Sequence, residues 1–419
     1  MRVSHSYVTQ EMIHYLQFSS LDKESADFLY YVKFFIICNG GFMWDNLSLK
    51  QVAKYAQDPY PSIRKWVKEK GIKAVGSTIA DVPEEVIYAF GLLPVTILGT
   101  NKPLKKAPSR LPDNACSLAR SNLELVMSYE GDLFDGFVLP QVCDTTQHLS
   151  DIWRIVLPDR YVESYLAPRQ VTRPSARYWV REEIERLIAS LSRWCGKSIT
   201  DEDLKKSIRI HNENKALLKD IYKIKRKTPS AITNKELFSL FKLSMQLDKT
   251  EFNRSLEKIK KGLKPEKKDG YTDVILVGIT CDPPEVYDLF DEINLNVVGD
   301  TLVTGTRYLQ GVVDENGNPL EALTGRHFKR GFFSPIHDNV YKNFEEIKTL
   351  YQKTGAKAII YVHIEFCESQ EYDLPDLKKM IKQEGMPIHV MDTEYQTLSL
   401  SHLRTRLQAF FESLKGGSL

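Results

Sequence analysis

Two hydrophobic patterns alternate along most of the chain: short apolar runs, and longer stretches in which apolar residues recur every three to four positions. The apolar runs predict buried strands. Eight such runs lie at residues 73–79, 94–99, 135–142, 160–165, 274–279, 296–300, 358–366 and 388–391. Helical stretches separate most of them, and strands joined through helices pair in parallel. The pattern therefore predicts an α/β protein built on parallel sheets.

Helical stretches interrupt this alternation and divide the chain into four parts. Residues 1–70 are predicted to form an N-terminal helical segment, and residues 71–173 a first Rossmann-like domain. Residues 174–268 form a helical insertion that ends in a charged linker, and residues 269–419 form a second Rossmann-like domain. A chain of 419 residues is too long for one ordinary core, so several domains are expected.

Composition and charge narrow the class of protein. Hydrophobic residues make up 42% and charged residues 27% of the chain, a balance typical of globular proteins. The formal net charge of +2 gives no indication of nucleic acid or of an anionic membrane as a partner. The longest apolar run near the N-terminus, residues 32–38, contains Lys33 and is too short to span a bilayer. A soluble, cytoplasmic protein without a secretory signal is expected.

Six cysteines are scattered along the chain without any CxxC pair. They are Cys38, Cys116, Cys143, Cys195, Cys281 and Cys367. A chain with a large core of its own does not need disulfides, and a zinc finger or ribbon would bring its ligands in close pairs. Any single cysteine is most simply a small buried hydrophobic residue. Some of these cysteines differ from the others because they lie at the ends of predicted strands or at the start of a predicted helix.

Three of these cysteines lie at positions where α/β proteins commonly bind ligands and cofactors. Cys116 lies where a polar loop enters a predicted helix, and Cys143 and Cys367 lie at the ends of predicted strands. Ligands and cofactors gather at the carboxyl ends of parallel strands. These positions predict a three-thiolate site, although Cys281 also follows a strand and competes with Cys367 on position alone.

Two acidic residues and one arginine are further candidates. Glu84 and Glu85 stand at the start of a predicted helix, where they serve either as favourable helix-end charges or as active-site carboxylates. Arg307 follows the strand at 296–300. Its guanidinium group offers a fork of hydrogen-bond donors that suits a phosphate or carboxylate of a ligand. Alternatively, the arginine has a structural role and caps a loop. Neither GxGxxG nor GxxxxGK[ST] occurs, which argues against a dinucleotide enzyme or a P-loop ATPase.

Several motifs resemble those of the 2-hydroxyacyl-CoA dehydratase and benzoyl-CoA reductase family. They are ADVPEEVIYA at 80–89, ACSLAR at 115–120, DGFVLPQVCD at 135–144, VGD to RY between 298 and 308, FCE at 366–368, and the C-terminal helix at 403–412. The resemblance covers about residues 70–415. It implies two Rossmann-like domains that face each other across a cleft.

The resemblance also implies a cofactor. In this family three cysteines hold a [4Fe–4S] cluster, and the matching positions are Cys116, Cys143 and Cys367, not Cys281. Soft thiolate ligands suit iron–sulfur clusters, and three of them leave one iron open. The other three cysteines are not expected to take part. Members with a double-cubane cluster carry an extra cysteine between the first two ligands, and this chain has none there.

The implied activity is radical-type chemistry on an acyl-CoA, by a lyase that dehydrates a 2-hydroxyacyl-CoA or an oxidoreductase that reduces an aromatic acyl-CoA. Such enzymes are anaerobic, pair with a homologous second subunit as heterodimer or homodimer, and take low-potential electrons from a separate ATP-hydrolysing iron–sulfur activator. Glu84 and Glu85 are then candidate catalytic residues, and Arg307 a candidate substrate-binding residue. Two alternatives stay open: a non-catalytic, cluster-bearing electron relay or partner subunit, and a plain α/β binding protein.

Overall fold

The computed structural model describes residues 43–78, 82–264, 270–330, 340–394 and 400–415. Contacts divide the chain into two units, Met1–Met43 and Trp44–Leu419, and all elements below belong to the second unit. Of the helical segment predicted at 1–70, residues 1–42 lie outside the described residues, and Cys38 is among them. The remainder forms helices α1 (Leu49–Gln57) and α2 (Tyr60–Lys70). Within the described part, no helix combines the length and the apolar character needed to cross a membrane.

In the described part of the first Rossmann-like domain, α-helices connect four strands. The strands are β1 (Ala74–Thr78), β2 (Leu93–Ile97), β3 (Gly136–Pro140) and β4 (Tyr161–Tyr165). The helices are α3 (Glu84–Ala89), α4 (Ser117–Glu124) and α5 (Asp144–Val156). All strand pairs are parallel, in the order β2–β1–β3–β4. Every residue of β1, β2 and β3 is buried, as expected of a parallel sheet that helices cover.

Four helices form the insertion between the two sheets. They are α6 (Pro174–Cys195), α7 (Asp201–Lys227), α8 (Asn234–Ser244) and α9 (Lys249–Gly262). Helix α6 ends at Gly196, whose positive φ of 65° suits glycine, and α7 begins after Thr200, whose side chain accepts a hydrogen bond from the amide of Asp203. Leu187 of α6 shares a hydrophobic core with Val138 of β3. The insertion is therefore packed onto the first domain.

The second Rossmann-like domain repeats the strand order of the first. Its strands are β5 (Thr272–Gly278), β6 (Leu295–Asp300), β7 (Ala358–Ile364) and β8 (Ile388–Thr393). Its helices are α10 (Val286–Glu292), α11 (Thr306–Leu309), α12 (Pro319–His327), α13 (Val340–Thr354), α14 (Glu368–Gln383) and α15 (Leu400–Lys415). The strands are parallel, in the order β6–β5–β7–β8. The prediction of an α/β fold with two parallel-sheet, Rossmann-like domains is confirmed.

The helix after β7 begins earlier than the local sequence indicates. The sequence favours a start at Pro375, but α14 begins seven residues earlier, at Glu368, and carries the proline in its interior. Gln370 explains the early start: its side chain accepts a hydrogen bond from the amide of Ile364 at 2.9 Å and donates another to a carbonyl of β7. These bonds fix the first helical turn against the strand. Cys367 consequently becomes the N-cap of α14.

Candidate active site

Three cysteines hold the same position in helices of the two domains. Cys116 is the N-cap of α4, Cys143 the N-cap of α5, and Cys367 the N-cap of α14. The first two belong to the first domain and the third to the second. An N-cap residue faces the free amide groups of the first helical turn, and these amides together with the helix dipole stabilise a negatively charged sulfur.

Backbone amides contact all three sulfur atoms. In each case the amide of the residue at the third helical position lies near the sulfur, and in α4 the amide of the second position does so too. These amides belong to Leu118 and Ala119 for Cys116, to Thr146 for Cys143, and to Gln370 for Cys367. The Cys143 sulfur also lies 3.5 Å from the hydroxyl oxygen of Thr146. These groups favour the thiolate form of each sulfur, whereas burial opposes it.

The three thiols lie together at the boundary between the domains. The Cys367 thiol donates a hydrogen bond to the Cys116 sulfur. Cys143 lies close enough for electrostatic interaction with both. Beside them, the amide of Ser117 donates to the carbonyl of Glu365 at 3.3 Å and joins the start of α4 to the end of β7. The structure therefore brings the three predicted cysteines to one place.

This proximity makes the acidities of the thiols unequal. The hydrogen bond from Cys367 lowers the pKa of the Cys116 thiol to about 7. The same bond raises the pKa of the Cys367 thiol, which stays protonated. Burial raises the pKa of the Cys143 thiol. Of the three thiols, Cys116 is consequently the one whose ionisation the site favours.

The other described cysteines lie elsewhere. Cys281 is buried next to the Tyr287 hydroxyl, and burial raises the pKa of its thiol to about 12. Cys195 ends α6, where Lys197 and Lys73 are its charged neighbours. Cys281, which competes for the site on sequence position alone, therefore has a different environment from the three clustered thiols.

Apolar and cationic side chains surround the thiols. Around Cys116 and Cys367 an apolar cluster is formed by Leu98, Leu118, Met245, Ile279, Val303 and Ile364, with Tyr308 packed against it. Arg120 adds positive charge near Cys116, and Arg169 near Cys143. Neither arginine is among the site residues predicted from the sequence. Arg120 stands four residues after Cys116, which is one helical turn, so this spacing was a usable signal.

The turn before Cys367 has an unusual backbone. Phe366 adopts a left-handed φ of 62°, a conformation that is rare and strained for an aromatic residue. Its ring is 41% exposed, and the Arg120 guanidinium lies 5.8 Å from the ring centre. The amide of Cys367 donates to the carbonyl of Ile364 at 3.0 Å, which closes the turn. This turn fixes where Cys367 stands at the end of β7.

Glu85, the second acidic candidate, is only 1% exposed. It forms ion pairs with Arg326 and, at 3.6 Å, with Lys215. Burial raises the pKa of its carboxyl group, but Arg326 and Lys215 outweigh burial and hold this pKa well below its usual range. Glu85 is thus an ionised, buried residue that ties α3 to α7 and to α12 of the second domain.

Glu84, the first acidic candidate, is 14% exposed, and three side chains approach its Oε2 atom. Lys249 Nζ lies 2.8 Å away, the Tyr308 hydroxyl donates at 3.3 Å, and His211 Nε2 lies at 3.8 Å. Tyr308 also packs against the apolar cluster around the thiols. Glu84 is therefore linked to the thiol site through one intervening side chain.

Arg307, the predicted substrate-binding residue, is 7% exposed. Its Nε donates to the Thr301 carbonyl at 3.1 Å, and its Nη2 lies 3.7 Å from Glu346. These partners hold the side chain within the second domain. A role in substrate binding stays a prediction.

A [4Fe–4S] cluster at the thiols also stays a prediction. Across the residues that the structure describes, no three His, Cys, Asp or Glu side chains are arranged to bind a metal ion directly. The donor chemistry nevertheless fits the cluster. Three thiols, four backbone amides and two arginines lie together, and this set stabilises an anionic, thiolate-bound group.

Residues 79–414 match the sequence family described as 2-hydroxyglutaryl-CoA dehydratase, D-component. Because the match spans most of the chain, the chain belongs to this family. The family resemblance inferred from the motifs is thereby confirmed.

Several named proteins are similar to the chain over nearly their whole length. The (R)-phenyllactyl-CoA dehydratase beta subunit of Clostridium sporogenes is 26% identical, over 85% of this chain and 96% of the relative. The beta subunit of (R)-2-hydroxyglutaryl-CoA dehydratase from Acidaminococcus fermentans is 25% identical, over 87% and 98%. A benzoyl-CoA reductase subunit of Thauera aromatica is 24% identical, over 87% and 96%. Each name denotes one subunit of a dehydratase or a reductase.

Proposed function

We propose that the chain is the iron–sulfur subunit of a radical-type acyl-CoA enzyme, and that its reaction is the dehydration of a 2-hydroxyacyl-CoA. The observation that carries the proposal is the convergence of three N-cap cysteines, two from the first domain and one from the second. Such a place at strand ends is where α/β proteins bind cofactors. Similarity to dehydratase beta subunits supports the choice of reaction.

Cys116, Cys143 and Cys367 are the proposed ligands of a [4Fe–4S] cluster. Once bound, this cluster supplies low-potential electrons one at a time. The protein prepares the site for negative charge, because three helix N-termini face the sulfur atoms and Arg120 and Arg169 lie nearby. The apolar cluster around the thiols excludes water and strengthens these electrostatic interactions.

Glu84 is the proposed proton carrier. Dehydration of a 2-hydroxyacyl-CoA removes a hydroxyl group and a neighbouring C–H proton, so the site needs a residue that accepts and returns protons. Glu84 is partly accessible and is linked through Tyr308 to the apolar cluster around the thiols. Glu85 is held ionised by its two cations, so its proposed task is to hold α3 in place.

The proposed enzyme has further components. The relatives are each named as one subunit of an enzyme, which supports a homologous second subunit beside this chain, in a heterodimer or a homodimer. As the family resemblance implies, ATP hydrolysis and electron delivery are assigned to a separate iron–sulfur activator, which accords with the lack of a GxxxxGK[ST] motif in this sequence. We place this enzyme in the cytoplasm of an anaerobic cell, with an acyl-CoA substrate and without nucleic-acid or membrane partners.

An anaerobic assay tests this proposal. The chain is produced with a homologous partner subunit and an activator, and the complex is analysed for iron and acid-labile sulfide. It then receives a panel of 2-hydroxyacyl-CoA thioesters with ATP and a reductant, and mass spectrometry identifies the products. Loss of one water from at least one thioester is expected. A complex that contains the cluster and passes electrons to its partner, yet gives no product through its own site, is an electron relay instead.

Reduction of an aromatic acyl-CoA is the second candidate reaction. It is favoured by the similarity to the benzoyl-CoA reductase subunit, whose 24% identity is close to the 25% of a dehydratase subunit. Adding benzoyl-CoA to the same panel separates the two reactions, because reduction adds hydrogen to the ring whereas dehydration removes water from the acyl chain.

A further inference from the structure

Six titratable side chains form a buried group between α3 and the helical insertion. They are Glu84, Glu85, His211, Lys215, Lys249 and Arg326, and we call them the charge cluster. All except Glu84 are nearly inaccessible to solvent. Removing a charge from water costs several kcal/mol, and pairing it in a protein interior often restores no more than that. Core stability is therefore a poor explanation for so many buried charges, one of which is linked through Tyr308 to the apolar cluster around the thiols.

The charge cluster has two halves with different partners. Arg326 and Lys215 act on Glu85, which they keep ionised and in place. Lys249 acts on Glu84 instead, with Nζ 2.8 Å from Oε2. Lys249 is 1% exposed and stands at the first position of α9, where the helix dipole disfavours a cation. Neither burial nor local helix chemistry accounts for a lysine at this position.

His211 does not act on the Glu84 carboxylate as Lys249 does. Burial and the charge of Lys249 lower the pKa of the His211 ring to about 3, so the ring is neutral near pH 7. Its Nδ1 lies 2.8 Å from the Ser207 carbonyl, which only accepts hydrogen bonds, so the ring proton is on Nδ1. The Nε2 atom that lies 3.8 Å from Glu84 therefore has no proton to donate.

Two groups approach the same carboxylate oxygen of Glu84, one as an ion-pair partner and one as a hydrogen-bond donor. Lys249 and the Tyr308 hydroxyl approach Oε2, at 2.8 and 3.3 Å. Among the described residues, none donates a hydrogen bond to Oε1. The carboxylate is thus held in one orientation, with one oxygen engaged and the other available.

We infer that Lys249 is a positioning residue for Glu84: together with Tyr308 it holds Oε2 and leaves Oε1 to accept and return the substrate proton. This inference rests on the proposed function, in which Glu84 moves protons beside the thiols. It also assigns a task to the helical insertion, because α9 supplies the lysine from outside both Rossmann-like domains.

A double-mutant cycle in the assembled enzyme tests this inference. Glu84→Gln is expected to lower kcat by about 100-fold or more. Lys249→Met is expected to lower kcat by about tenfold or more, with KM for the acyl-CoA nearly unchanged. Because Lys249 acts through Glu84, the double variant should be no slower than Glu84→Gln alone. Effects that multiply in the double variant would overturn the inference.

Two further variants serve as matched controls. Lys249→Arg keeps the positive charge and should recover most of the lost rate. Lys260→Met removes a partly exposed lysine of the same helix, which pairs with Asp220, and should leave the rate unchanged. If Lys249→Met does not fold, Tyr308→Phe removes the hydroxyl that donates to Oε2 and is put through the same cycle with Glu84→Gln.

Thermal unfolding of the iron-free chain separates positioning from a purely structural role. Each single variant leaves a buried charge without its partner and should unfold at a lower temperature, whereas the double variant should recover part of the loss. If Lys249→Met is less stable but keeps the wild-type kcat, the lysine is structural and the inference fails while the proposed function stands. Full activity of Glu84→Gln would instead remove Glu84 from the proposed function.

Discussion

The amide of Ser117 donates a hydrogen bond to the carbonyl of Glu365 at 3.3 Å and so joins the two Rossmann-like domains beside the thiols. Ser117 follows Cys116 directly, and Glu365 lies two residues before Cys367. The contact therefore fixes the approach of one cysteine from each domain. A site made in this way exists only while the two domains stay together, so a ligand bound there stabilises the domain arrangement in turn.

Replacement of Cys116, Cys143 or Cys367 by alanine is expected to remove most of the iron from the chain. Each residue supplies one proposed thiolate, and two remaining thiolates are a poor ligand set for the cluster. Iron and acid-labile sulfide per chain, measured after anaerobic purification, check this expectation. Cys195→Ala is the control and should keep its iron. Iron that survives Cys367→Ala but is lost in Cys281→Ala would contradict the ligand assignment.

Replacement of Glu85 by glutamine is expected to destabilise the fold by about 3–5 kcal/mol at neutral pH, because Arg326 and Lys215 lose their buried carboxylate. The pKa of Glu85 is lower in the folded chain than in the unfolded chain. Its stabilisation is therefore fully present above the unfolded pKa of about 4.3 and is lost as the pH falls towards the folded pKa. The difference between wild type and variant should shrink accordingly in acid.

Urea unfolding of both chains at neutral and at acidic pH measures this difference. Glu202→Gln is a suitable control, because Glu202 pairs with Arg209 on the exposed surface, where an ion pair contributes little. Its unfolding midpoint should match that of the wild type at neutral pH. A Glu85→Gln difference that stays constant down to strongly acidic pH would show that Glu85 is not ionised in the folded chain.

The strands and their parallel pairing were predictable from the sequence, because buried strands of parallel sheets are continuous apolar runs such as Ile275–Val277 and Ile359–Val362. The start of α14 was not predictable in this way. Pro375 is an ordinary signal for a helix start, whereas the true first turn depends on bonds from Gln370 to the neighbouring strand. Such tertiary hydrogen bonds cannot be inferred from the local sequence.

The candidate site, too, was only partly predictable from the sequence. The positions of Cys143 and Cys367 after strands pointed to a thiol site, and the family resemblance selected Cys367 over Cys281. The role inferred for Lys249 had no local signal, because a lysine at a helix start normally points into solvent. Only the packing of α9 against α7 and α3 buries this lysine against Glu84.

Replacement of Arg307 by alanine is expected to lower stability, and its effect on the affinity for the acyl-CoA decides whether the residue also binds substrate. The guanidinium is buried and is engaged by the Thr301 carbonyl and by Glu346. Removing it leaves buried polar groups with fewer partners. Thermal unfolding and KM, measured on the same preparation, check this. A raised KM would support the substrate-binding role predicted from the sequence, and an unchanged KM would contradict it.

Replacement of Arg120 by methionine is expected to lower the reduction potential of the proposed cluster by tens of millivolts. Arg120 Nη2 lies 2.9 Å from Glu394, and its Nε donates to the Ala115 carbonyl at 3.0 Å, so the guanidinium is held beside Cys116. Reduction adds negative charge, which a nearby cation stabilises. Loss of the cation therefore makes the cluster harder to reduce.

A redox titration of the purified complex, followed by electron paramagnetic resonance, measures this potential. Arg120→Lys keeps the charge and should recover most of the shift, although it loses the planar fork that bonds both Glu394 and Ala115. Arg154→Met removes an exposed arginine that pairs with Asp151 and should leave the potential unchanged. Normal iron content together with an unchanged potential in Arg120→Met would mean that solvent or Glu394 already cancels the charge at the thiols. Arg120 would then hold α4 in place without affecting the reduction potential of the proposed cluster.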